Sequence, residues 1–222
     1  VAGASDIVVE SNLHGRRHPH LVSVEAIDAL RGFSLTTNAI QIGAALTLTE
    51  LGEAWVDAPQ AVREWLTLFA SPPIRNRATL GGNLATASPV GDAAPRLLAL
   101  DAVVHLARAS AEAHGEPWDG YVERAVALSS FFTGYRKTQM APGEVLTRVE
   151  LPRPLPQRLA FYKIAKRRLD DISTVAAAMA IDRDSVLKEV YQGAGQKAKN
   201  PIPPTMWSYD DSTVDYEYNP EK

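Results

Sequence analysis

Apolar and polar positions along the chain change period several times, and each period predicts a different element. Short β-branched runs at Leu21–Val24 and Ala39–Ile42 predict strands, with turns at Gly32 and Gly43. Val103–Ala107, Val145–Leu151 (stopped by Pro152) and Ala160–Ala165 predict three more. Helical spacing shows elsewhere. Thr47 followed by Glu50 is a capping-box signature for a helix through about Ala54. Pro59 stands near the first turn of a second helix, Gln60–Phe69, whose apolar Val62, Leu66 and Phe69 fall 4 and 3 residues apart. Asp92 is placed to cap a third helix, Ala93–Leu100, with Pro95 in its first turn. Val1-Ala2-Gly3 reads as a strand running into a turn, and Ile7–Glu10 as β or an early helical turn. The polar stretch Ala109–Glu123 reads as an exposed loop, and Ser173–Ile181 as a buried strand or helix.

The mixture predicts an α+β fold, and punctuation divides it. The run Arg153–Arg158, with prolines at 154 and 156, is the best internal boundary. It sets a first domain over residues 1–152, whose opening lacks the start of a domain, apart from an incomplete second one over 153–184. Residues 185–222 form a divergent end. Its last part, 201–222, holds four prolines and five acids and predicts a poorly ordered tail. Docking of Trp207, Tyr209, Tyr216 and Tyr218 on the domain is the alternative.

Composition removes several function classes. A net charge of -3 provides no basic field, so nucleic acid is not an implied partner. No apolar run reaches the length of a membrane span and no signal peptide opens the chain, which makes the cytoplasm the default compartment. The absence of cysteine excludes disulfides, thiolate nucleophiles and Cys-ligated zinc or iron–sulfur clusters. The five histidines, at 14, 18, 20, 105 and 114, have no metal-ligand spacing and read as solvated loop residues. There is no G-x-G-x-x-G fingerprint, no G-x-x-x-x-G-K loop and no Ser-His-Asp set.

The densest chemistry lies in Ser71–Asp92, SPPIRNRATLGGNLATASPVGD. Gly81 and Gly82 carry no Cβ, which permits φ > 0 and a close approach of backbone to a ligand. Successive N–H groups in such a turn make a concave anion site for a phosphate or pyrophosphate. Thr79 and Asn83 add a hydroxyl and an amide, and Arg75 and Arg77 add charge. A Gly-Gly pair alone is equally the mark of an ordinary turn.

IRNRATLGGNLATASPVGD resembles the FAD-binding loop of the molybdenum hydroxylase flavoproteins, nearest in wording to the FAD-binding part of bacterial xanthine dehydrogenases. VAGASDIVVE is similar to that family's first FAD loop. FFTGYRKTQMAPGEVLTRVELP and FYKIAKRRLDDISTVAAAMAI are similar to its later segments, in order. The resemblance spans residues 1 to 182, with none found beyond. It implies a FAD-binding domain of the PCMH/molybdopterin-dehydrogenase type, built of two α/β subdomains, followed by a cut-short C-terminal α+β domain.

The resemblance also assigns roles. Val1, Ala2, Gly3, Ala4, Ser5, Asp6 and Ile7 form one FAD loop; Thr79, Leu80, Gly81, Gly82 and Asn83 form the other. Phe69, Asp92, Leu146 and Lys163 match further cofactor contacts, Lys163 as a cation near the flavin ring. Each has a plainer reading: core for Phe69 and Leu146, a helix cap for Asp92, a solvated strand-edge residue for Lys163. Lys166-Arg167-Arg168 before Asp170-Asp171 reads either as surface ion pairs or as chain close to the cofactor. The implied activity is electron transfer from a purine, oxidised at a molybdenum cofactor on another subunit, through two-iron two-sulfur clusters to FAD and on to NAD+. With no cysteine, the clusters must sit on other polypeptide or on missing sequence. A second reading stays open: a shortened remnant or subunit-docking module that no longer binds FAD.

Overall fold

A computed structural model describes residues 1–110 and 120–181. The chain divides into two units, Val1–Ala180 and Ile181–Lys222. The first is described below; His114 and the acidic, proline-rich end lie outside the described residues.

Helix α1, Ser5–Leu13, follows the opening loop and buries none of its residues. A 3-10 turn at Asp28–Leu30 leads to strands β1, Phe33–Leu35, and β2, Ala39–Gly43. Four helices follow: α2, Leu48–Ala54; α3, Gln60–Leu68; α4, Pro72–Arg75; and α5, Leu80–Ala85. Then come α6, Ala93–Leu98, strands β3, Val103–Ala109, and β4, Tyr121–Ala127, and the short α7, Leu128–Phe131. The chain continues through the hairpin pair β5, Phe132–Gly134, and β6, Lys137–Thr138, to β7, Val145–Pro152. Strands β8, Arg158–Ile164, and β9, Val175–Ile181, close the described part.

Five strands form one sheet in the order β1-β2-β7-β3-β4, with every neighbouring pair antiparallel. Period-two alternation gives it one apolar face. Ile40, Ile42, Val104, Leu106, Val149 and Leu151 are buried, and they meet Leu48, Leu51, Val62, Trp65, Leu66, Leu80, Leu84 and Leu97 of the helices in one core. The opposite face is polar: Gln41 donates to Glu150 at 3.0 Å, and Arg148 and Thr147 reach Glu123 at 2.6 and 2.9 Å. A sheet with one apolar and one polar face accounts for the alternating sequence pattern. Strands β8 and β9 form a separate two-stranded sheet, with β8 beside α3.

The capping box forms as its spacing predicts, with Thr47 accepting from the Glu50 N–H at 3.2 Å and Glu50 accepting from the Thr47 N–H at 3.0 Å. Six expectations need correction. Ser173–Ile181 is strand only from Val175, and no residue of β9 is buried. His105 is no solvated loop residue: it lies in β3 with its side chain 12% exposed, 2.8 Å from Arg148. Leu21–Val24 is not a strand; it is pinned to the chain start, with the Val24 N–H on the Val1 carbonyl at 2.9 Å and the Val1 ammonium on the Val22 carbonyl. Val1–Gly3 is not a strand either, because Gly3 and Ala4 turn left-handed into α1, which takes up Ile7–Glu10 as helix. The exposed stretch after Ala109 includes strand from Tyr121 onward, paired Ala109↔Tyr121 with β3. Gly81 and Gly82 lie inside helix α5 and have no positive φ.

Candidate functional site

The two glycine segments meet. In the first, Gly3 and Ala4 take φ of 69° and 56°, and the Ala4 N–H turns back to the Ala2 carbonyl at 2.8 Å. A Cβ on Gly3 would stand 2.3 Å from the Arg77 carbonyl oxygen, so only glycine lets the first loop lie against the strand of chain leading into the second. One carboxylate joins them again: Glu25 Oε1 accepts the Gly3 N–H at 2.8 Å and the Arg77 guanidinium at 2.7 Å. Farther along, Thr86 at the end of α5 donates to Asp6 Oδ2 at 3.2 Å. Ser5 and Ile7 are half-buried at the start of α1.

The second segment is set by packing. Thr79 is buried, and its hydroxyl accepts the Gly82 N–H at 3.0 Å, capping α5. Gly81 donates to the Ala44 carbonyl at 3.1 Å, and a Cβ there would stand 2.6 Å from the Ala44 Cβ. A Cβ on Gly82 would come to 2.9 Å from Thr79 Oγ1 and 3.6 Å from the Ala2 carbonyl. Leu80 is fully buried. The glycines are needed here for approach, not for an unusual dihedral.

Asn83 takes the capping role that the position of Asp92 predicts. Asn83 Oδ1 accepts the Ala93 N–H at 3.3 Å, at the first residue of α6. Asp92 is the residue before that helix, but it has helical dihedrals and makes no side-chain cap bond. Its carboxylate, only 7% exposed with the whole residue, turns inward. There Oδ2 accepts from Lys163 Nζ at 2.7 Å and Oδ1 from the Ser173 hydroxyl. Lys163 also donates to the Leu68 carbonyl at 3.3 Å, and its side chain is 3% exposed. The solvated-lysine reading is therefore overturned: Lys163 is a buried, paired cation.

Phe69 and Leu146 sit in the core. Phe69 lies edge-on to Trp65 with ring centroids 6.3 Å apart, and Leu146 faces Leu106 across β7 and β3. The basic pair of the motif is engaged in structure: Arg75 holds the Phe69 and Ala70 carbonyls at 2.8 and 2.9 Å, and Arg77 holds Glu25. Ser173 and Arg96 are buried site residues that sequence reasoning missed. Arg96 leaves a usable signal, a lone charge in the apolar helix AAPRLL four residues after an acid.

FAD presents a pyrophosphate, polyol hydroxyls and a flat ring. The residue preceding α1 is Ala4, which has no side-chain acceptor, so no side chain caps the first-turn N–H groups. Those groups, beside two consecutive left-handed residues and against a glycine helix start, are the donor set a pyrophosphate needs. Lys163 and Asp92 add a buried donor–acceptor pair in the same unit. The residues present fit the cofactor. Among the described residues no helix is long and apolar enough to cross a membrane.

Comparison with known proteins agrees. The family model described as the FAD binding domain in molybdopterin dehydrogenase matches residues 1–154. A nicotinate hydroxylase of Emericella nidulans is 34% identical over 200 residues, covering 82% of this chain and 14% of the relative. Xanthine dehydrogenase 2 of Arabidopsis thaliana is 31% identical over 194 residues, covering 82% and 14%. Among solved structures, quinoline 2-oxidoreductase from Pseudomonas putida 86 superposes with a TM-score of 0.68 at 26% identity, covering 80% of this chain and 59% of that one. The chain thus spans about one-seventh of the length of the curated relatives it matches. A second model, the middle part of bacterial extracellular solute-binding proteins of family 5, matches residues 174–222.

Proposed function

The chain belongs to the FAD-binding domains of the molybdopterin dehydrogenases, and on that premise we propose that it is the flavin-carrying part of a xanthine dehydrogenase-like molybdenum hydroxylase. Its partners are then a molybdenum-cofactor subunit and an iron–sulfur domain, and NAD+ is its electron acceptor. The carrying observation is the convergence of Val1–Ile7 and Thr79–Asn83, locked where Gly3 meets the Arg77 carbonyl. Residues 1–152 are the cofactor-binding part, and 153–184 begin the following domain; the family match over 1–154 supports that limit.

When bound, FAD would supply the redox chemistry, electron uptake and hydride transfer. The protein's share is binding and electrostatics. The first-turn N–H groups of α1 hold the pyrophosphate, and Thr79 and Gly82 keep the second loop in register with it. Lys163 would offer a fixed positive charge to the flavin, held in place by Asp92, which Ser173 fixes in turn. With no cysteine in this sequence, electrons would arrive from clusters held by other polypeptide or by sequence outside these residues. The matched relatives include hydroxylases of nicotinate and xanthine, so a nitrogen heterocycle is the substrate class we assign to the assembled enzyme.

Titrating the purified chain with FAD tests the reading: quenched flavin fluorescence and a shifted absorbance band are expected, followed by bleaching of the bound flavin on adding NADH. A chain that takes up no FAD is the remnant or docking module instead. Binding without reduction by NADH leaves a flavoprotein with a different acceptor.

A further inference from the structure

Arg96 is a cation in a place built for apolar side chains. It lies on the buried face of α6, 1% exposed, with its guanidinium 5.7 Å from the Trp65 ring centroid and 5.8 Å from that of Phe161. Nη1 donates to the Asp92 carbonyl and stands 3.9 Å from Asp92 Oδ1; Nη2 reaches the Tyr162 carbonyl at 3.5 Å. Nε has no hydrogen-bond partner among the described residues. Burial pulls the guanidinium below its ordinary value, and only the Asp92 charge opposes that. Such a group is costly, and a methionine would fill the same volume without desolvating a charge. Stability therefore does not explain it.

Position does. Tyr162 and Lys163 are neighbours on β8, and Arg96 lies on α6 one turn after Asp92, the residue that precedes that helix. The guanidinium fork touches the backbone of Asp92 itself and of Tyr162, the residue before its partner Lys163. Two cations then share one carboxylate, Lys163 at 2.7 Å and Arg96 at 3.9 Å, which leaves the cluster one positive charge in excess.

We infer that Arg96 is a positioning residue: it clamps α6 to β8 so that Asp92 seats Lys163, and it keeps the cluster cationic for the flavin. The second half of that role rests on the flavin site proposed above. A guanidinium fits both tasks, because its planar fork binds two carbonyls at once and stays charged when buried.

Two readouts on the whole chain test it. Without cofactor, acetic anhydride labelling followed by peptide mass spectrometry compares Lys163 with exposed Lys137. Lys163 should be protected in the wild type, label about tenfold faster in Arg96→Met and about threefold faster in Arg96→Lys, which keeps the charge but not the fork. With FAD bound, Arg96→Met should make flavin reduction about tenfold less favourable, a fall of about 30 mV in midpoint potential for a two-electron couple. Arg96→Lys should retain most of that potential. Wild-type protection of Lys163 in both variants overturns the inference, as does an unchanged potential in Arg96→Met. Should Arg96→Met fail to fold, Arg96→Lys decides alone through its labelling. If the wild type binds no FAD, the flavin reading falls by itself, and the labelling still decides whether Arg96 positions Lys163.

Discussion

In the first loop, Gly3 and Ala4 take left-handed dihedrals of 69° and 56°, and the helix that follows starts with no side-chain cap. In the second, Gly81 and Gly82 sit within regular helix, Thr79 caps the start, and Leu80 and Leu84 anchor it at 0% exposure. Both present helix starts from a glycine segment, yet glycine serves a different need in each. The first loop uses it for a conformation; its Gly3 and Ala4 N–H groups are taken by Glu25 Oε1 and the Ala2 carbonyl, and what carries no side-chain cap is the first turn of α1 that follows. The second uses it to let α5 press against Ala44, and its donors are largely filled: Gly81 by Ala44, Gly82 by Thr79, Asn83 by the Thr79 carbonyl. Ligand capacity is thus concentrated in the first loop, and the second is the wall it is built on.

Substitutions separate the two needs. The largest effect should come from Gly3→Ala, which adds a left-handed penalty of about 1–2 kcal/mol and a Cβ 2.3 Å from a main-chain oxygen that cannot swing away. We expect at least a hundredfold weaker FAD binding, read by fluorescence titration, with a folded circular dichroism spectrum. Retained affinity would mean that the left-handed turn does not shape the site. Next is Gly81→Ala, whose Cβ would stand 2.6 Å from the Ala44 Cβ and 2.7 Å from its carbonyl. Overpacking of this kind costs about 1–3 kcal/mol. It should appear as a lower urea midpoint, while the folded fraction binds FAD with an affinity near that of wild type. Equal losses of affinity in both variants would erase the distinction between the loops.

The same contrast governs what the amino-acid sequence disclosed. Elements set by local pattern were legible: β2, β3 and β7 from alternation, α3 from its 4 and 3 spacing, α2 from the Thr47–Glu50 box. The meeting of the two loops was legible only through family resemblance, since no local rule brings Gly3 to Arg77. Side chains with two competing partners were misread. Asp92 reads as a cap because it precedes a helix, but Asn83, ten residues from Ala93, fills that role and frees the carboxylate for Lys163. Lys163 alternates along β8 as a surface lysine would, and only the packing of β8 against α3, with Asp92 as its partner, buries it. The Gly-Gly pair suits a turn by composition; tight packing on Ala44 makes it helix.

Thr79→Val tests the wall more gently. It keeps the shape and removes the hydroxyl that accepts the Gly82 N–H, a loss of about 1 kcal/mol in stability measured by urea unfolding. A neutral result would show that burial of Leu80 and Leu84 alone holds α5.

The smallest effect is a dependence on pH in the support of the second loop. Thr47 bridges Thr79, and the Leu48 N–H binds the Ala78 carbonyl at 3.0 Å, so α2 supports the chain entering α5. The α2 cap depends on Glu50, whose carboxyl is held below the ordinary glutamate value of 4.5 by the Thr47 N–H first, then by its hydroxyl and by Arg31. A carboxylate with a lowered folded pKa stabilises fully above about pH 4.5, and that stability is lost as the pH falls through the lowered value. The Glu50 side chain is 36% exposed, so solvent screening keeps the effect near about 0.5 kcal/mol. Glu50→Gln should therefore unfold slightly more easily than wild type at pH 7, with the difference shrinking as thermal melts are taken toward pH 3. An undiminished gap at pH 3 would place the loss in packing instead of charge.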